Sequence, residues 1–412
     1  FEKLFFWGEN MKRTIRDVDL KNKKVLLRVD FNVPLDANGN VSDDKRIVAA
    51  LPTINYLIKQ GCKVIIVSHL GRPNGFDKSL SMLPVAKRLI ELVECKVFVA
   101  SDVVGPDAKA KAAKLKCGQI LVLENVRFEK GEEENDENLA KELASLAEFY
   151  VNDAFGTAHR KHASTYGVAK LLPNALGFLM GKETNTITCA MEKPDRPFVA
   201  VMGGSKVADK IGMLQNLLTK ADILLVGGAM AFTFLKVQGK NVGLSKVDDE
   251  GLQTAIDLIK YAESMGKTLV LPVDVVCAKK IDKSARARKF SVDKIPTDQI
   301  GLDIGPKTQR IFTKYIKSAH TVIWNGPMGV FEIPKFEKGT KKVALALTKV
   351  KGTTIVGGGD SALAAKFYGI SKKVTHVSTG GGATLKLLEG KVLPCVDVIS
   401  DMEETDYEKE HF

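Results

Sequence analysis

No run in this sequence is long and apolar enough to cross a bilayer: the longest, 223–235, falls short of the roughly 20 residues required and contains Gly227 and Gly228. No secretory signal is visible. The opening Phe1-Glu2-Lys3-Leu4-Phe5-Phe6-Trp7 carries acid at its second position and only a very short apolar run, so residues 1–10 are read as an upstream extension ahead of Met11. Cysteine is sparse and unpatterned: Cys62, Cys95, Cys117, Cys189, Cys277 and Cys395 show no C-x-x-C spacing, which argues against zinc and a disulfide framework and points to a reducing cytoplasm. Aromatics are only 7% of the 412 residues, yet 45% apolar and 27% charged residues are ample for a globular chain of two domains. No tandem repeat of solenoid length occurs. Acid is outnumbered, 49 residues against 61 Lys and Arg, giving a formal charge of +12 and a pI of about 9.2. That balance suits an anionic partner, whether nucleic acid, membrane surface or phosphorylated metabolite, and sign alone does not choose among them.

What the sequence does have is alternation. Short apolar runs at 23–31, 63–70, 96–101, 118–126 and 148–154, and again at 197–203, 222–227, 268–275, 321–325, 353–358 and 374–379, are separated by amphipathic stretches such as 83–93 and 138–144. Strands alternating with helices predict an α/β fold of two doubly wound, Rossmann-like parallel-sheet domains. The expected division is an N-terminal domain over 11–181, a hinge helix over 182–196 broken by Pro194 and Pro197, a second domain over 197–395, and a C-terminal segment with an acidic tail over 396–412.

The strands end in chemistry. In the run Val25-Leu26-Leu27-Arg28-Val29-Asp30-Phe31-Asn32-Val33-Pro34, Asp30 and Asn32 fall at a carboxyl end, where open parallel sheets bind ligands. Other strands of the same half run into Ser68-His69-Leu70-Gly71-Arg72, Glu124-Asn125-Val126-Arg127, and Asn152-Asp153 through His159-Arg160, while Arg46 follows the first loop. One arginine alone reads as a surface charge; Arg46, Arg72, Arg127 and Arg160 with His69 at one edge read as a multi-anion site. His159 and His162 have a metal-compatible spacing without a third ligand nearby.

The second half ends its strands in glycine: Gly203-Gly204-Ser205-Lys206 to Lys210, Gly227-Gly228, Asn325-Gly326-Pro327 to Glu332, Gly357-Gly358-Gly359-Asp360-Ser361, and Gly380-Gly381-Gly382. Bare backbone amides before helix starts cradle phosphate, and Lys206 and Lys210, expected on one helix face, add charge. The familiar alternatives fail in part. Gly266-Lys267-Thr268 lacks the P-loop glycine, since position 261 is tyrosine. Gly357, Gly359 and Ala362 match a dinucleotide fingerprint, which keeps an NAD-dependent dehydrogenase in view, but the acidic residue expected about 20 positions on is missing. No protein-kinase motif pair and no helix-turn-helix, zinc-finger or RNP pattern is present, so a non-catalytic nucleic-acid-binding protein rests on charge alone.

Together, "VLLRVDFNVP", "SHLGRP", "LENVRF", "NDAFGTAHR", "GGSKVADK", "WNGPMGVFE", "GGGDS" and "HVSTGGGA", in this order from Met11 to about Asp397, resemble the phosphoglycerate kinase family. The short helical stretch at 134–147, without a long insertion, resembles its bacterial members. The resemblance implies a cytoplasmic, monomeric glycolytic enzyme that moves a phosphoryl group between 1,3-bisphosphoglycerate with MgADP and 3-phosphoglycerate with MgATP, with no nucleic-acid or membrane partner. It implies that Asp30, Phe31, Asn32, Arg46, His69, Leu70, Gly71, Arg72, Arg127 and Arg160 hold the triose phosphate. Lys206, Lys210, Glu332, Gly358, Gly359, Asp360 and Ser361 would hold the nucleotide, with Asp360 contacting Mg²⁺. Arg46, Lys206, Gly358 and Gly381 would serve the transfer itself.

Overall fold

The computed structural model describes residues 6–7 and 10–402; the remainder of the expected N-terminal extension and positions 403–412 of the acidic tail lie outside the described residues. The chain divides into two compact units, one formed by residues up to 185 together with those from 392, the other by 186–391.

The first unit is built on a six-stranded sheet whose strand pairs are all parallel: Lys24–Arg28 (β1), Lys63–Val67 (β2), Val97–Val99 (β3), Ile120–Val122 (β4), Phe149–Asn152 (β5) and Asn174–Leu176 (β6), in spatial order β3-β4-β2-β1-β5-β6. The central strands are apolar on both faces because helices cover both, which is why they appear as unbroken Val, Ile and Leu runs rather than alternating ones. The helix Lys45–Lys59 turns Ile47, Ala50, Ile54 and Leu57 inward at helical spacing, and these pack with Val25, Leu27, Val64 and Ile66 into one core. The order in which strands are added reverses between β1 and β5, so the crevice of a doubly wound sheet opens above these two strands.

The short strand β6 is not expected from the sequence. Three residues after Pro173 are too few for a period to show, and the strand is held on its outer side by Ile15 N donating to Leu176 O (3.0 Å) and Leu176 N to Arg13 O (2.9 Å). The segment from Val392 also belongs to this unit: Lys12 Nζ donates to the carbonyls of Asp397 and Ile399, both at 2.9 Å, and pairs with Asp401 at 2.8 Å.

The second unit has its own six-stranded parallel sheet: Phe198–Met202 (β7), Ile223–Val226 (β8), Thr268–Val270 (β9), Thr321–Asn325 (β13), Thr353–Gly357 (β14) and His376–Val377 (β15), ordered β9-β8-β7-β13-β14-β15. Between β9 and β13 the chain inserts a three-stranded antiparallel sheet of Asp274–Ala278 (β10), Arg288–Ser291 (β11) and Ile300–Ile304 (β12), in order β11-β10-β12. The apolar run 268–275 is therefore two strands and not one. Pro272, which has no N–H to donate to a ladder, stands between them.

The helix Phe178–Glu192 contains the division between the units at 185/186. Its start is fastened inside the first unit. Thr53 Oγ1 accepts from Phe178 N (2.9 Å) and Asp153 Oδ1 from Met180 N (3.0 Å), so two orphan donors of its first turn are satisfied by side chains from elsewhere in the fold.

Candidate functional sites

In the first unit the carboxyl ends of β1, β2 and β4 deliver one connected cluster, and the chain leaving β5 carries Arg160. Arg46 Nη1 donates to Asp30 Oδ1 at 2.8 Å and to Asn32 O at 3.1 Å. Asn32 Oδ1 accepts from Gly71 N (2.8 Å), and Gly71 O accepts from Arg127 Nη1 (2.6 Å), so residues from three strand ends are linked in series. Asn125 ties the Leu70 backbone through its Oδ1 (3.1 Å) and Nδ2 (2.7 Å), and Ser68 Oγ accepts from Phe31 N at 2.9 Å. Phe31 and Leu70 are buried and serve as packing beneath the loops, while their backbones frame the cluster. Arg72 is exposed and carries no ion pair among the described residues; Arg160 is half-buried, with Nε 3.1 Å from His159 Nε2.

The electrostatics are those of a cluster of closely spaced cationic groups. Burial first, then Arg28, Arg127 and Arg46, hold His69 well below the ordinary imidazole range, so it is neutral at pH 7. Burial likewise lowers the proton affinity of Arg127. Glu133, paired with it at 2.8 Å, opposes that shift, and Arg28 and Arg160 add to it. Positive groups packed this closely repel one another until an anion enters.

In the second unit the pocket forms at the switch point, where β7 and β13 lie side by side and their loops leave in opposite senses. Gly204 N donates to Pro327 O at 3.1 Å, and Gly228, at φ +65°, approaches so closely that a Cβ there would lie 2.6 Å from Gly204 N. Only glycine fits this junction of three strand ends. Lys210 Nζ donates to Gly203 O and to Asn325 Oδ1, both at 2.8 Å, and Asn325 Nδ2 reaches Gly357 O at 2.9 Å. Burial brings the Lys210 ammonium down to about 8, with Asp360 and Asp209 acting against the shift. Ser361 Oγ accepts from Gly326 N at 2.6 Å.

A cavity of about 370 Å³ opens beside these loops, lined by Gly204, Gly228, Phe232, Gly301, Met328, Glu332 and Asp360 among others. Its apolar wall suits a flat heterocycle, and its glycine edge suits phosphates. Asp360 is exposed in the first turn of the helix Gly359–Phe367. Asp360, on the cavity whose lining also includes Glu332, is a hard carboxylate of the kind that fits Mg²⁺, which takes one or two carboxylates and completes its shell with phosphate oxygens and water. Among the described residues there is no cluster of three His, Cys, Asp or Glu able to hold a metal without such help, and His159 with His162 belongs to none.

The model of the family described as phosphoglycerate kinase matches residues 15–391. The chain belongs to that family. The phosphoglycerate kinase of Pseudothermotoga lettingae is 51% identical over 392 residues, covering 95% of this chain and 99% of its own, and that of Thermosipho africanus is 52% identical over 395 residues, covering 95% and 98%. Among solved structures, the phosphoglycerate kinase from Coxiella burnetii has a TM-score of 0.87 at 41% identity, covering 94% of this chain and 98% of that one. The enzyme from Pyrococcus horikoshii has a TM-score of 0.79 at 33% identity, covering 96% and 100%.

Membership of the phosphoglycerate kinase family removes the dehydrogenase alternative, and the topology agrees. A dinucleotide fingerprint belongs to the first strand at the switch point, whereas Gly357 and Gly359 follow β14, one strand from the edge. One local expectation also needs correction. Lys206 is not on a helix face with Lys210: it lies in the loop before the 3₁₀ turn Ala208–Lys210, exposed, with Nζ 3.8 Å from Asp209 Oδ2. The stretch Gly203-Gly204-Ser205-Lys206 mimics a glycine turn feeding a helix, and here the helix begins only at Ile211. Gly381, at φ +48°, precedes the helix Gly382–Leu388 and has open space around it, as does Gly359.

Gly301 and Phe232 were not expected at the site from the sequence, and Asn325 and Met328 were expected only as members of the glycine-rich strand end 325–332. Gly301 sits on the unexpected antiparallel sheet, where a Cβ would lie 1.9 Å from the Phe232 ring, so it is a close-approach glycine with no run to announce it. Asn325 was visible as the polar end of an apolar strand, the same signal that marked Asp30.

Proposed function

We propose that this protein is a phosphoglycerate kinase that transfers a phosphoryl group reversibly between 1,3-bisphosphoglycerate with MgADP and 3-phosphoglycerate with MgATP, as a cytoplasmic glycolytic monomer with no nucleic-acid or membrane partner. The reading assigns the triose phosphate to the domain over 11–181, through Asp30, Asn32, Arg46, His69, Arg72, Arg127 and Arg160. It assigns the nucleotide to the domain over 197–395, and hinge bending to the segment 182–196, whose first part is the end of the helix Phe178–Glu192. The observation that carries it is the arginine and histidine cluster at the sheet edge of one unit, in a chain whose other unit has a glycine-edged cavity with Lys210 and Asp360 at its own.

In the direction that consumes ATP the nucleophile is the substrate carboxylate, already ionised at neutral pH, so no general base is required. The protein's tasks are in-line placement and neutralisation of charge on the transferring group. Arg46 faces the acidic substrate and contacts that group; Lys206, exposed in its loop, bridges to it; Lys210 and the amides of Gly358, Gly359 and Gly381 hold nucleotide phosphates; Glu332 takes the ribose. Mg²⁺, bound with the nucleotide and contacted by Asp360, supplies charge neutralisation at the phosphates. Because reacting atoms must come within roughly 3–3.5 Å, ligands held by separate units require closure. Calorimetric titration of each ligand alone tests the assignment: Arg160→Ala is expected to abolish the 3-phosphoglycerate heat and leave MgADP unchanged, and Asp360→Ala the reverse. Loss of both heats in either variant contradicts it.

A further inference from the structure

Beneath the triose-phosphate cluster lies a buried polar chain that the assignment above does not use. Arg28, the last residue of β1, is 1% exposed, and every guanidinium nitrogen has a neighbour. Nε donates to Ser164 Oγ (2.7 Å), Nη1 to Val29 O, and Nη2 lies 3.2 Å from Nδ1 of His69. Glu132, fully buried, accepts from Ser164 N (2.9 Å) and Ser164 Oγ (2.7 Å), with Oε1 3.9 Å from Arg28 Nη2. The single hydroxyl proton of Ser164 thus goes to Glu132 while its lone pair receives Arg28, which fixes the guanidinium in one orientation.

A guanidinium has only donors to offer, so the atom it faces must present a lone pair. Nδ1 of His69 is that atom, and the ring proton is therefore on Nε2. On the Nε2 side the carboxylate oxygen Asp30 Oδ1 lies at 3.9 Å, beyond hydrogen-bond reach, and that oxygen already accepts from Arg46 at 2.8 Å. The charged and titratable groups around the ring are Arg28 and Asp30 from the β1 end, Arg46 from the following helix, Arg127, and His162, and the cations dominate. An imidazolium would set N–H against N–H at Arg28.

We propose that Arg28 is a positioning residue that locks His69 in the Nε2–H tautomer, so that a neutral ring donates one hydrogen bond to an oxygen of the bound phosphoglycerate. This rests on the reading of the cluster as the triose-phosphate site. The donor adds direction without adding a further charge to a pocket already crowded with arginines.

Long-range ¹H–¹⁵N correlation spectra of the full, histidine-labelled chain, with His69 assigned through His69→Gln, test it without any ligand. The neutral Nε2–H pattern is expected at pH 7 and on acidification through the ordinary imidazole range; an Nδ1–H or imidazolium pattern overturns the proposal. Arg28→Met is expected to lose that pattern and to raise KM for 3-phosphoglycerate about 10- to 100-fold, the loss of one hydrogen bond to a charged ligand, with kcat changed far less. Arg28→Lys, which keeps a donor, is expected to restore the tautomer in part. If removing Arg28 destabilises the fold by leaving Glu132 unpaired, Arg28→Met with Glu132→Gln removes that burden and gives the same readout. An unchanged tautomer in these variants overturns the proposal. Arg160→Ala reports separately: if it leaves KM for 3-phosphoglycerate untouched, the triose-site reading fails, whatever the tautomer.

Discussion

Lys210 and Asn325, 115 residues apart in the chain, meet through a 2.8 Å hydrogen bond from Nζ to Oδ1. The contact fastens the loop after β7 to the end of β13, the two strands that flank the switch point of the second sheet. It also buries an ammonium group whose proton affinity has fallen to about 8 before any nucleotide arrives.

Nucleotide phosphates restore the charge on that ammonium. Binding of MgADP near pH 8.5 is therefore expected to draw up a fraction of a proton, seen as a dependence of the calorimetric heat on buffer ionisation enthalpy. Lys210→Met is expected to abolish the uptake and weaken binding. Proton release on binding contradicts the assignment of Lys210 to the phosphates.

Arg46 is tied to Asp30 at 2.8 Å and is more than one-third exposed at its side chain, so it can exchange that partner for a transferring phosphoryl group. Arg46→Ala is expected to reduce kcat on the order of 10³-fold or more while MgADP affinity is retained, as for an arginine that acts mainly on transition-state charge. Retention of more than about a tenth of turnover in steady-state assays contradicts this role.

Gly301 has no room for a side chain against Phe232. Gly301→Val pushes the ring into the cavity, and KM for ATP is expected to rise about tenfold or more, with KM for 3-phosphoglycerate unaffected. A change confined to 3-phosphoglycerate contradicts the placement of the nucleotide in this cavity.

Asp153, fully buried, is pushed up from 3.8 to about 6, chiefly by burial, against the hydrogen bond that its Oδ1 accepts from Met180 N. A carboxyl whose proton affinity is raised on folding binds more protons folded than unfolded. Stability is therefore expected to fall as pH rises from about 4 to about 6 and to level off above. The gap corresponds to about 3 kcal/mol. Asp153→Asn keeps the acceptor for Met180 and removes the charge, so the difference between variant and parent in urea midpoint is expected to grow across that window; a flat difference contradicts the shift.

Legibility in the sequence followed the physics of parallel sheets. A strand buried on both faces must be a continuous apolar run, so β1, β2, β7 and β13 stood out, and polar residues at their ends marked where the chain leaves the core: Asp30, His69, Asn325. What stayed hidden lacks that contrast. Arg28 sits within an apolar run as a buried charge, and only its partners Glu132 and Ser164, far along the chain, explain it. The antiparallel insertion begins only a few residues after β9, across 271–273, too short a gap to separate strands by composition. Lys206 and Lys210 share a spacing but not a helix, because spacing carries no information on where the first helical turn begins.

The most direct test is a coupled assay of ATP-dependent phosphorylation of 3-phosphoglycerate, run with and without Mg²⁺ on the parent chain and on Arg46→Ala. Mg²⁺-dependent turnover in the parent, reduced on the order of 10³-fold in the variant, is the expected result. No turnover in the parent, or equal turnover in both, contradicts the account.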